Sequence, residues 1–377
     1  MKHARFSCCL PNGDVVLTGG DHQGNGPGAV PGQYSVGSGD FQPGVWSTHD
    51  GTSWSLLHPN CPTTDPSGYP ARNDNTPWGI DTKRGLGYVM PGFFGGVAFA
   101  LNDCPSPPNS PPIGSAMTFN FSTGLWQTPA FPAPPTGYGG DNNSSWGIYD
   151  AASDSFYRYY WDGAWGGNVQ ILSLATNTWS NVMLGCFGGI ATNCSGGIDS
   201  NLRNSFANRS QAALDAQGRA IYWITPTNAL FRLRLDVPGH AGEWPPNAQA
   251  PAACLVMDGL DQEAYLVFDP IHRAVIKFCV PNTIGEIVGV AIYSVDTGQW
   301  QYLAAPTGLV QPVMGNAMIW SPSCNCTIIT GGHTGFSENP ALPNPAPNPC
   351  VDCTVPVGNT TLPNPAYDWQ LTFQSSS

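Results

Sequence analysis

Six segments of the chain share one pattern, in which two short apolar runs flank a turn residue. The segments begin at residues 6, 78, 146, 212, 265 and 317, and the second of them reads WGIDTKRGLGYVM. Their turn residues follow one another at intervals of 70, 69, 65, 54 and 52 residues: Pro11, Asp81, Asp150, Asp215, Asp269 and Ser321. Alternating apolar and polar residues over a few positions are typical of strands. Each segment therefore predicts two antiparallel strands, and their recurrence predicts a repeat protein.

A second pattern follows each of the first five segments and ends in a tryptophan. Its clearest copy is VGVAIYSVDTGQWQYL, residues 288–303, where an Asp-Thr-Gly turn reverses the chain into a hairpin. Its tryptophans are spaced by 72, 53, 65 and 56 residues: Trp54, Trp126, Trp179, Trp244 and Trp300. Because fixed places in a repeat usually serve packing, we expect Trp126, Trp179 and Trp300 to occupy equivalent, mostly buried positions.

Together the two patterns predict an all-β protein, a single six-bladed β-propeller of four-stranded antiparallel blades. One domain then covers residues 1–377, with blades at approximately 5–60, 72–130, 140–184, 207–248, 258–305 and 313–377. The sixth repeat has only one strand pattern after its insertion. We therefore expect the last blade either to be closed at the termini by the MKHARF segment or to be left with three strands.

Two insertions interrupt the repeats, and both follow the second strand of a blade. Residues 21–44 are rich in glycine, and residues 338–366 are rich in proline and cysteine. They belong to the first and last blades, which become neighbours when the ring closes. We therefore expect the insertions to emerge side by side and to form a stiff docking surface for a protein.

Composition narrows the classes of partner. The net charge is −12, and only 13 lysines and arginines are present. Nucleic acid is excluded as a partner because phosphate binding needs a basic stripe. No stretch of about 18 apolar residues occurs, so no membrane span is predicted.

Twelve cysteines, several in close pairs, favour disulfides and an oxidising environment. We expect three local bridges: Cys186–Cys194, Cys350–Cys353 and Cys254–Cys279. The alternative is a zinc site formed by four cysteines: Cys324, Cys326, Cys350 and Cys353. The Cys-x-Cys spacing of the first two is atypical of such sites. The start of the sequence lacks the apolar core of a secretion signal. The chain is then either a secreted protein without its leader or a virion component.

Polar residues stand just before each inner strand, where a propeller forms the mouth of its central channel. The candidate ligand-binding residues there are Asn75, Asp141, Asn143, Arg209 and Asp261. Such a ring can bind a sugar, a peptide loop or Ca²⁺, whose ligands are hard oxygens. The alternative is that these side chains only bind their own loop backbone. Two tryptophans outside the repeat, Trp161 and Trp165 in YYWDGAWGG, are further candidates for stacking on a ligand.

The first repeat contains the segments RFSCCLPNGDVVLTGG and VWSTHDGTSWSLL, and in these segments it resembles kelch-like propellers of the galactose-oxidase type. The sixth repeat contains a similar segment, TIITGG. The segment STHDGTSW also resembles the Asp-box of sialidase-type propellers. The resemblance implies the propeller fold. Because propellers of these two types include copper radical oxidases and sialidases, the resemblance also implies these activities as the enzymatic alternatives. Because the seven histidines are scattered without a close pair, we assign no catalytic residue and no metal ligand.

The sequence thus predicts a non-enzymatic binding or assembly module, exposed on a virion as a tail or capsid-associated protein, or extracellular. Its partner is a protein, a glycan or both, and it can form a homo- or hetero-oligomer. No cofactor is expected other than Ca²⁺ at the polar ring. A secreted carbohydrate-active propeller enzyme is the alternative.

Overall fold

The computed structural model describes residues 5–7, 9–19, 44–49, 54–59, 78–89, 117–127, 131–132, 146–161, 167–183, 212–224, 228–254, 266–279, 289–304, 314–323, 325–333 and 368–371. These residues form antiparallel strands and one short 3₁₀ helix, Ala252–Cys254. Among them, no helix is long and apolar enough to cross a membrane.

Five sheets have four strands each, paired in chain order. Sheet one contains β1 (Arg5–Ser7), β2 (Val15–Gly19), β3 (Gly44–Thr48) and β4 (Trp54–Pro59). Sheet two contains β5 (Trp78–Asp81), β6 (Leu86–Val89), β7 (Met117–Asn120) and β8 (Leu125–Gln127). Sheet three contains β9 (Gly147–Asp150), β10 (Ser155–Trp161), β11 (Gly167–Ser173) and β12 (Thr178–Met183).

Sheet four contains β13 (Ala212–Asp215), β14 (Ala220–Ile224), β15 (Leu230–Arg234) and β16 (Ala241–Glu243). Sheet five contains β17 (Leu266–Asp269), β18 (Ala274–Cys279), β19 (Gly289–Ser294) and β20 (Gln299–Ala304). Sheet six has three strands within the described residues: β21 (Met314–Ser321), β22 (Cys326–His333) and β23 (Asp368–Leu371).

The first strands of the six sheets contact one another in a closed cycle. β1 contacts β5, and the cycle continues through β9, β13, β17 and β21 back to β1. Antiparallel sheets whose innermost strands surround one axis form a β-propeller. The predicted fold class is thereby confirmed, whereas the kelch-like grouping stays a prediction.

The described part of the last sheet bears on how the chain closes the ring. The segment Arg5–Ser7 pairs with β2 as the innermost strand of sheet one, so it does not complete sheet six. Within the described residues sheet six is left with three strands, which was one of the two predicted arrangements.

The core lies between adjacent sheets, because each sheet is covered on both faces by its neighbours. Strands that are packed on two sides lose the polar alternation of a half-exposed strand. Every residue of β5, β14 and β17 is accordingly buried. Between sheets three and four, Tyr157 and Val169 pack against Ile221 and Leu233.

The hairpin tryptophans occupy equivalent positions in three sheets, as predicted. Each is the second residue of its fourth strand and lies opposite the penultimate residue of the third strand: Trp126 opposite Phe119, Trp179 opposite Leu172 and Trp300 opposite Tyr293. Trp126 is buried, and the other two are half-buried. In sheet four the third and fourth strands are joined by six residues instead of four, and Trp244 falls just after its strand.

The predicted Cys254–Cys279 disulfide is confirmed, and it attaches the 3₁₀ helix to β18. Cys9 is also disulfide-bonded. The predicted pairs Cys186–Cys194 and Cys350–Cys353 lie outside the described residues. The structure describes no side chain of the four cysteines in the zinc alternative, and its described residues contain no group of three or more metal-binding side chains.

Candidate functional site

Strand direction gives the propeller two different edges. In every sheet the first strand runs toward the edge where the turn to the second strand lies, which we call the turn edge. The turns between the third and fourth strands lie at the same edge. The opposite edge, which we call the loop edge, holds the starts of the first strands and the ends of the second strands.

At the turn edge, an aspartate at the end of the first strand shapes each tight turn in sheets two to five. Asp81, Asp150, Asp215 and Asp269 are at most 1% exposed. Each carboxylate accepts hydrogen bonds from main-chain N–H groups two or three residues later; Asp81 binds those of Lys83 and Arg84. This geometry is that of an Asx turn. It explains why aspartate recurs at the turn position of the sequence repeat.

Arginines join these turns to those of neighbouring sheets. Arg219 of sheet four donates to both oxygens of Asp150 in sheet three, at 2.6 and 2.7 Å. Arg273 of sheet five lies 3.3 Å from Asp215 in sheet four. Sheets two and three are joined by Arg84 and Asp154, with two bonds of 2.7 Å. We call these three contacts the inter-sheet ion pairs.

The inter-sheet ion pairs shift the acidities of their members. The Arg84 guanidinium lowers the pKa of Asp154 to about 2. Burial alone raises the pKa of Asp150, but hydrogen bonds from Arg219 and Ser153 outweigh burial and hold that pKa below its usual range. Both carboxylates are therefore ionised at neutral pH and paired with cations. At the turn edge, each buried aspartate of sheets two to five is held by main-chain N–H groups, and three of the four also contact an arginine.

The loop edge is where the predicted ligand-binding residues belong by topology. The first strands of sheets two to five begin there, at Trp78, Gly147, Ala212 and Leu266. The candidates stand three to six residues before these starts and lie outside the described residues: Asn75, Asp141, Asn143, Arg209 and Asp261. Their convergence at the channel mouth stays a prediction. Trp161 ends β10 opposite Gly167, but its side chain, like the whole of Trp165, lies outside what the structure describes.

An aromatic cluster lies between sheets three and four on the side of the loop edge. Trp146 immediately precedes β9, and its ring lies 6.1 Å from that of Tyr159 and 5.3 Å from that of Trp223. The indoles of Trp146 and Trp223 are 3% and 1% exposed, and their N–H groups have no hydrogen-bond partner among the residues that the structure describes. A buried N–H without an acceptor costs about 1–3 kcal/mol. The planes of the Trp146 and Trp223 rings are inclined at 47°, and both rings belong to the buried core between sheets three and four.

Sequence reasoning passed over this cluster because its three rings come from two different repeats. Trp146 opens one repeat, Tyr159 belongs to the second strand of the same repeat, and Trp223 belongs to the next. The contacts of Trp146 and Tyr159 with Trp223 cross from sheet three to sheet four, which no local pattern in the sequence shows.

Two buried cations occupy equivalent positions in sheets three and five. Arg158 and Lys277 are each the fourth residue of a second strand and lie opposite the first residue of the adjacent first strand. The Arg158 Nε donates to Gln170 at 2.6 Å, and the guanidinium lies 5.7 Å from the ring centre of Trp179. The Lys277 Nζ donates to the main-chain oxygen of Cys254 at 3.3 Å, and burial lowers the pKa of Lys277 to about 8.

The signal for these cations was present in the sequence, as single charges inside the apolar runs FYRYY and VIKFC. A charge within a strand that is covered on both faces is costly unless it is hydrogen-bonded. Both cations lie opposite the first residue of a first strand, and the first strands start at the loop edge.

No protein-family model and no curated protein matches the sequence. Among solved structures, the chain is similar to YjhT, with 12% identity over 89% of this chain and 91% of that chain, and a TM-score of 0.47. An auxiliary nutrient binding protein from Bacteroides thetaiotaomicron VPI-5482 is 8% identical over 77% of this chain and 62% of its own, with a TM-score of 0.43. TolB from Acinetobacter baumannii is 10% identical over 77% and 54%, with a TM-score of 0.41. No functional assignment follows from similarities of this size.

Proposed function

We propose that the protein is a non-enzymatic binding module, exposed on a virion or outside a cell, whose loop edge contacts a partner protein. The observation that carries this proposal is the difference between the two edges of the sheets. At the turn edge the chain reverses in short turns, and the inter-sheet ion pairs tie neighbouring turns together. A rigid scaffold of this kind leaves the loop edge free to vary in sequence without disturbing the sheets.

The loop edge is also where the long connections of the chain begin and end. Residues 20–43 join β2 to β3, residues 90–116 join β6 to β7, and residues 334–367 join β22 to β23. The first and last of these contain the two insertions found in the sequence. Since β1 contacts β21, the insertions depart from neighbouring sheets. This adjacency favours one continuous docking surface for a protein.

A smaller ligand is proposed for the channel mouth. The predicted polar residues Asp141 and Arg209 precede β9 and β13, the first strands on the two sides of the aromatic cluster of Trp146, Tyr159 and Trp223. That cluster is buried and forms a rigid support beneath the mouth. A glycan offers the hydroxyl groups that such polar side chains recognise, and Ca²⁺ is the ion that their carboxylate and amide oxygens suit.

Deletion of residues 341–349 tests the protein contact. The biotinylated full chain, the deletion variant and an Arg234→Gln turn-edge control are used to capture proteins from purified particles or culture medium of the source, followed by quantitative mass spectrometry. We expect at least one protein to be retained by the wild type and the control and lost by the deletion variant, with an unchanged thermal transition. Equal retention by all three chains contradicts a contact at the insertion.

A glycan array tests the smaller ligand separately. We expect binding of the wild type to a defined sugar and at least tenfold weaker binding after Arg209→Gln, which removes the cation of the predicted polar ring, with an unchanged thermal transition. Equal binding by both chains contradicts the role of this ring.

A further inference from the structure

Two asparagines at the turn edge stand in the sequence Asn-x-Ser/Thr, the acceptor sequence for an N-linked glycan when x is not proline. The full sequence contains seven such sequons, and two of them lie within the described residues, at Asn120 and Asn325. Asn120 begins the turn between β7 and β8, and Asn325 lies in the turn between β21 and β22. Both asparagines therefore lie at the turn edge.

The Asn325 turn departs from the pattern of the three preceding sheets. In sheets three to five, the fourth residue after the turn aspartate has a positive φ and joins the preceding sheet through an ion pair: Asp154 at 50°, Arg219 at 53° and Arg273 at 48°. Asn325 has the same place in sheet six and a φ of 51°, which asparagine adopts more readily than most residues. Its side chain is exposed and makes no hydrogen bond or ion pair with the described part of the chain.

Asp269 of sheet five is the carboxylate that an arginine at position 325 would reach by the repeat, and it is held within its own turn. It accepts hydrogen bonds from the main-chain N–H groups of Ile271 and His272, and it lies 2.6 Å from the His272 Nδ1. Because His272 takes the place of the cation from the next sheet, Asn325 has no inter-sheet contact to make. Its amide is left to the solvent.

The Asn120 side chain is fixed through its oxygen, which leaves its amide nitrogen over. The Oδ1 accepts hydrogen bonds from the main-chain N–H of Ser122 at 2.9 Å and from the Ser122 Oγ at 2.7 Å. Among the described residues, the Nδ2 has no hydrogen-bond partner, and it is not buried. Asn120 lies opposite Leu125, which points to the same face and is 49% exposed. A group attached to the Nδ2 therefore leaves the turn intact.

We propose that Asn120 and Asn325 carry N-linked glycans and that the turn edge is the glycosylated side of the propeller. In the transfer, the amide Nδ2 bonds to the anomeric carbon of a sugar carried on a lipid diphosphate. The bond from that carbon to the diphosphate oxygen breaks, and the amide nitrogen loses one proton. A glycan at Asn120 would also cover the exposed Leu125. This inference rests on the proposed exposure outside a cell or on a virion, because the transfer takes place in the secretory pathway.

Two further observations fit this assignment. The Cys254–Cys279 disulfide forms in an oxidising compartment, which the secretory pathway provides. The glycans lie at the edge opposite the long connections, so they leave the proposed docking surface uncovered.

Thr327 indicates when the glycan at Asn325 is added. Its hydroxyl completes the sequon, and the residue is fully buried in β22 opposite Trp320. Among the described residues, this hydroxyl has no hydrogen-bond partner. Since the transferase must reach the hydroxyl, transfer precedes the pairing of β21 with β22. The replacement Thr327→Val removes the sequon and keeps the shape of the buried side chain.

Mass spectrometry of the full chain purified from its source tests the proposal. The chain is unfolded and treated in heavy-oxygen water with an amidase that releases N-glycans, which converts each glycosylated asparagine to aspartate with one heavy oxygen. We expect this label at Asn120 and at Asn325. An unlabelled asparagine at either position overturns the assignment there, and two unlabelled asparagines overturn the proposal.

Two variants exclude spontaneous deamidation as the source of the label. The full chain is secreted from a eukaryotic host, and Ser122→Ala and Thr327→Val each remove a sequon hydroxyl but keep the asparagine. Each variant should lose the label at its own asparagine and keep it at the other. A label that persists in the variant overturns glycosylation at that site. Capture with residues 341–349 deleted is read separately, so unlabelled asparagines with intact capture overturn this inference and leave the proposed protein contact standing.

Discussion

Arg219 donates to both carboxylate oxygens of Asp150, a residue 69 positions earlier in the chain and in the preceding sheet. The same carboxylate accepts hydrogen bonds from the main-chain N–H groups of Ala152 and Ser153, so it also shapes the turn of its own sheet. One buried aspartate thus fixes a turn and attaches sheet three to sheet four. Arg273 and Asp215 repeat the contact between sheets four and five with longer bonds.

Replacing Arg219 by Gln should destabilise the fold by about 2–4 kcal/mol, because Asp150 is 1% exposed and would remain as a buried charge without its cation. Arg219 itself is a quarter exposed, which places the effect below that of a fully buried pair. Urea unfolding followed by tryptophan fluorescence measures the change. The matched control is Arg234→Gln, which breaks the exposed pair with Asp236 and should leave the midpoint nearly unchanged. Equal midpoints for the two variants would contradict a structural role for the inter-sheet pair.

Acid should weaken the protein through the same turn edge. The pKa of Asp154 is about 2 in the folded chain and about 3.8 without its partners, so the unfolded chain binds more protons in this range. The stabilisation is therefore fully present above the unfolded pKa and is lost as pH falls from about 4 to 2. Thermal melts between pH 2 and 6 should show this fall in Tm. The Asp154→Asn variant should have a lower Tm at pH 6 and a smaller fall toward pH 2.

The turn edge shows how far local sequence can predict this fold. Aspartate at the end of an apolar run predicts a turn, and the structure places an Asx turn there, because the interaction spans only two or three residues. The cations that pair with Asp150 and Asp215 stand 69 and 58 residues away, in the same turn position of the following sheet. That pairing depends on how neighbouring sheets pack around the axis, which no local pattern contains.

The aromatic residues show the same distinction between contacts within one sheet, which the sequence predicts, and contacts between sheets, which it does not. The register of Trp126, Trp179 and Trp300 was predictable because a four-residue turn fixes the pairing of two adjacent strands. The contact of Trp146 with Trp223 was not, because it crosses from sheet three to sheet four.

The buried Lys277 should make stability rise with pH under mildly alkaline conditions. Burial lowers the pKa of Lys277 to about 8 from 10.5, so the unfolded chain binds more protons between these values. The folded state is therefore penalised below pH 8, and the penalty is relieved as pH rises toward 10.5. Urea unfolding at pH 7, 8 and 9, with the Cys254–Cys279 disulfide intact, should show the rise. Lys277→Met keeps the length of the side chain and should abolish this rise in stability. If the variant keeps the same pH dependence of stability, the rise comes from other titrating groups.

The role of the hairpin tryptophans is tested by two substitutions at Trp300. Trp300→Ala should cost roughly 3–5 kcal/mol, as for other large aromatic side chains that pack in a core, because the ring contacts Tyr293 and the N–H binds the oxygen of Asn247. Trp300→Phe keeps most of the packing and loses only the hydrogen bond, which is worth about 1 kcal/mol. Trp244→Ala is the comparison, since that ring is 38% exposed and lies outside the shared register. Denaturant unfolding should rank the losses with Trp300→Ala first. A loss for Trp244→Ala as large as for Trp300→Ala would show that position in the repeat does not set the contribution of these rings.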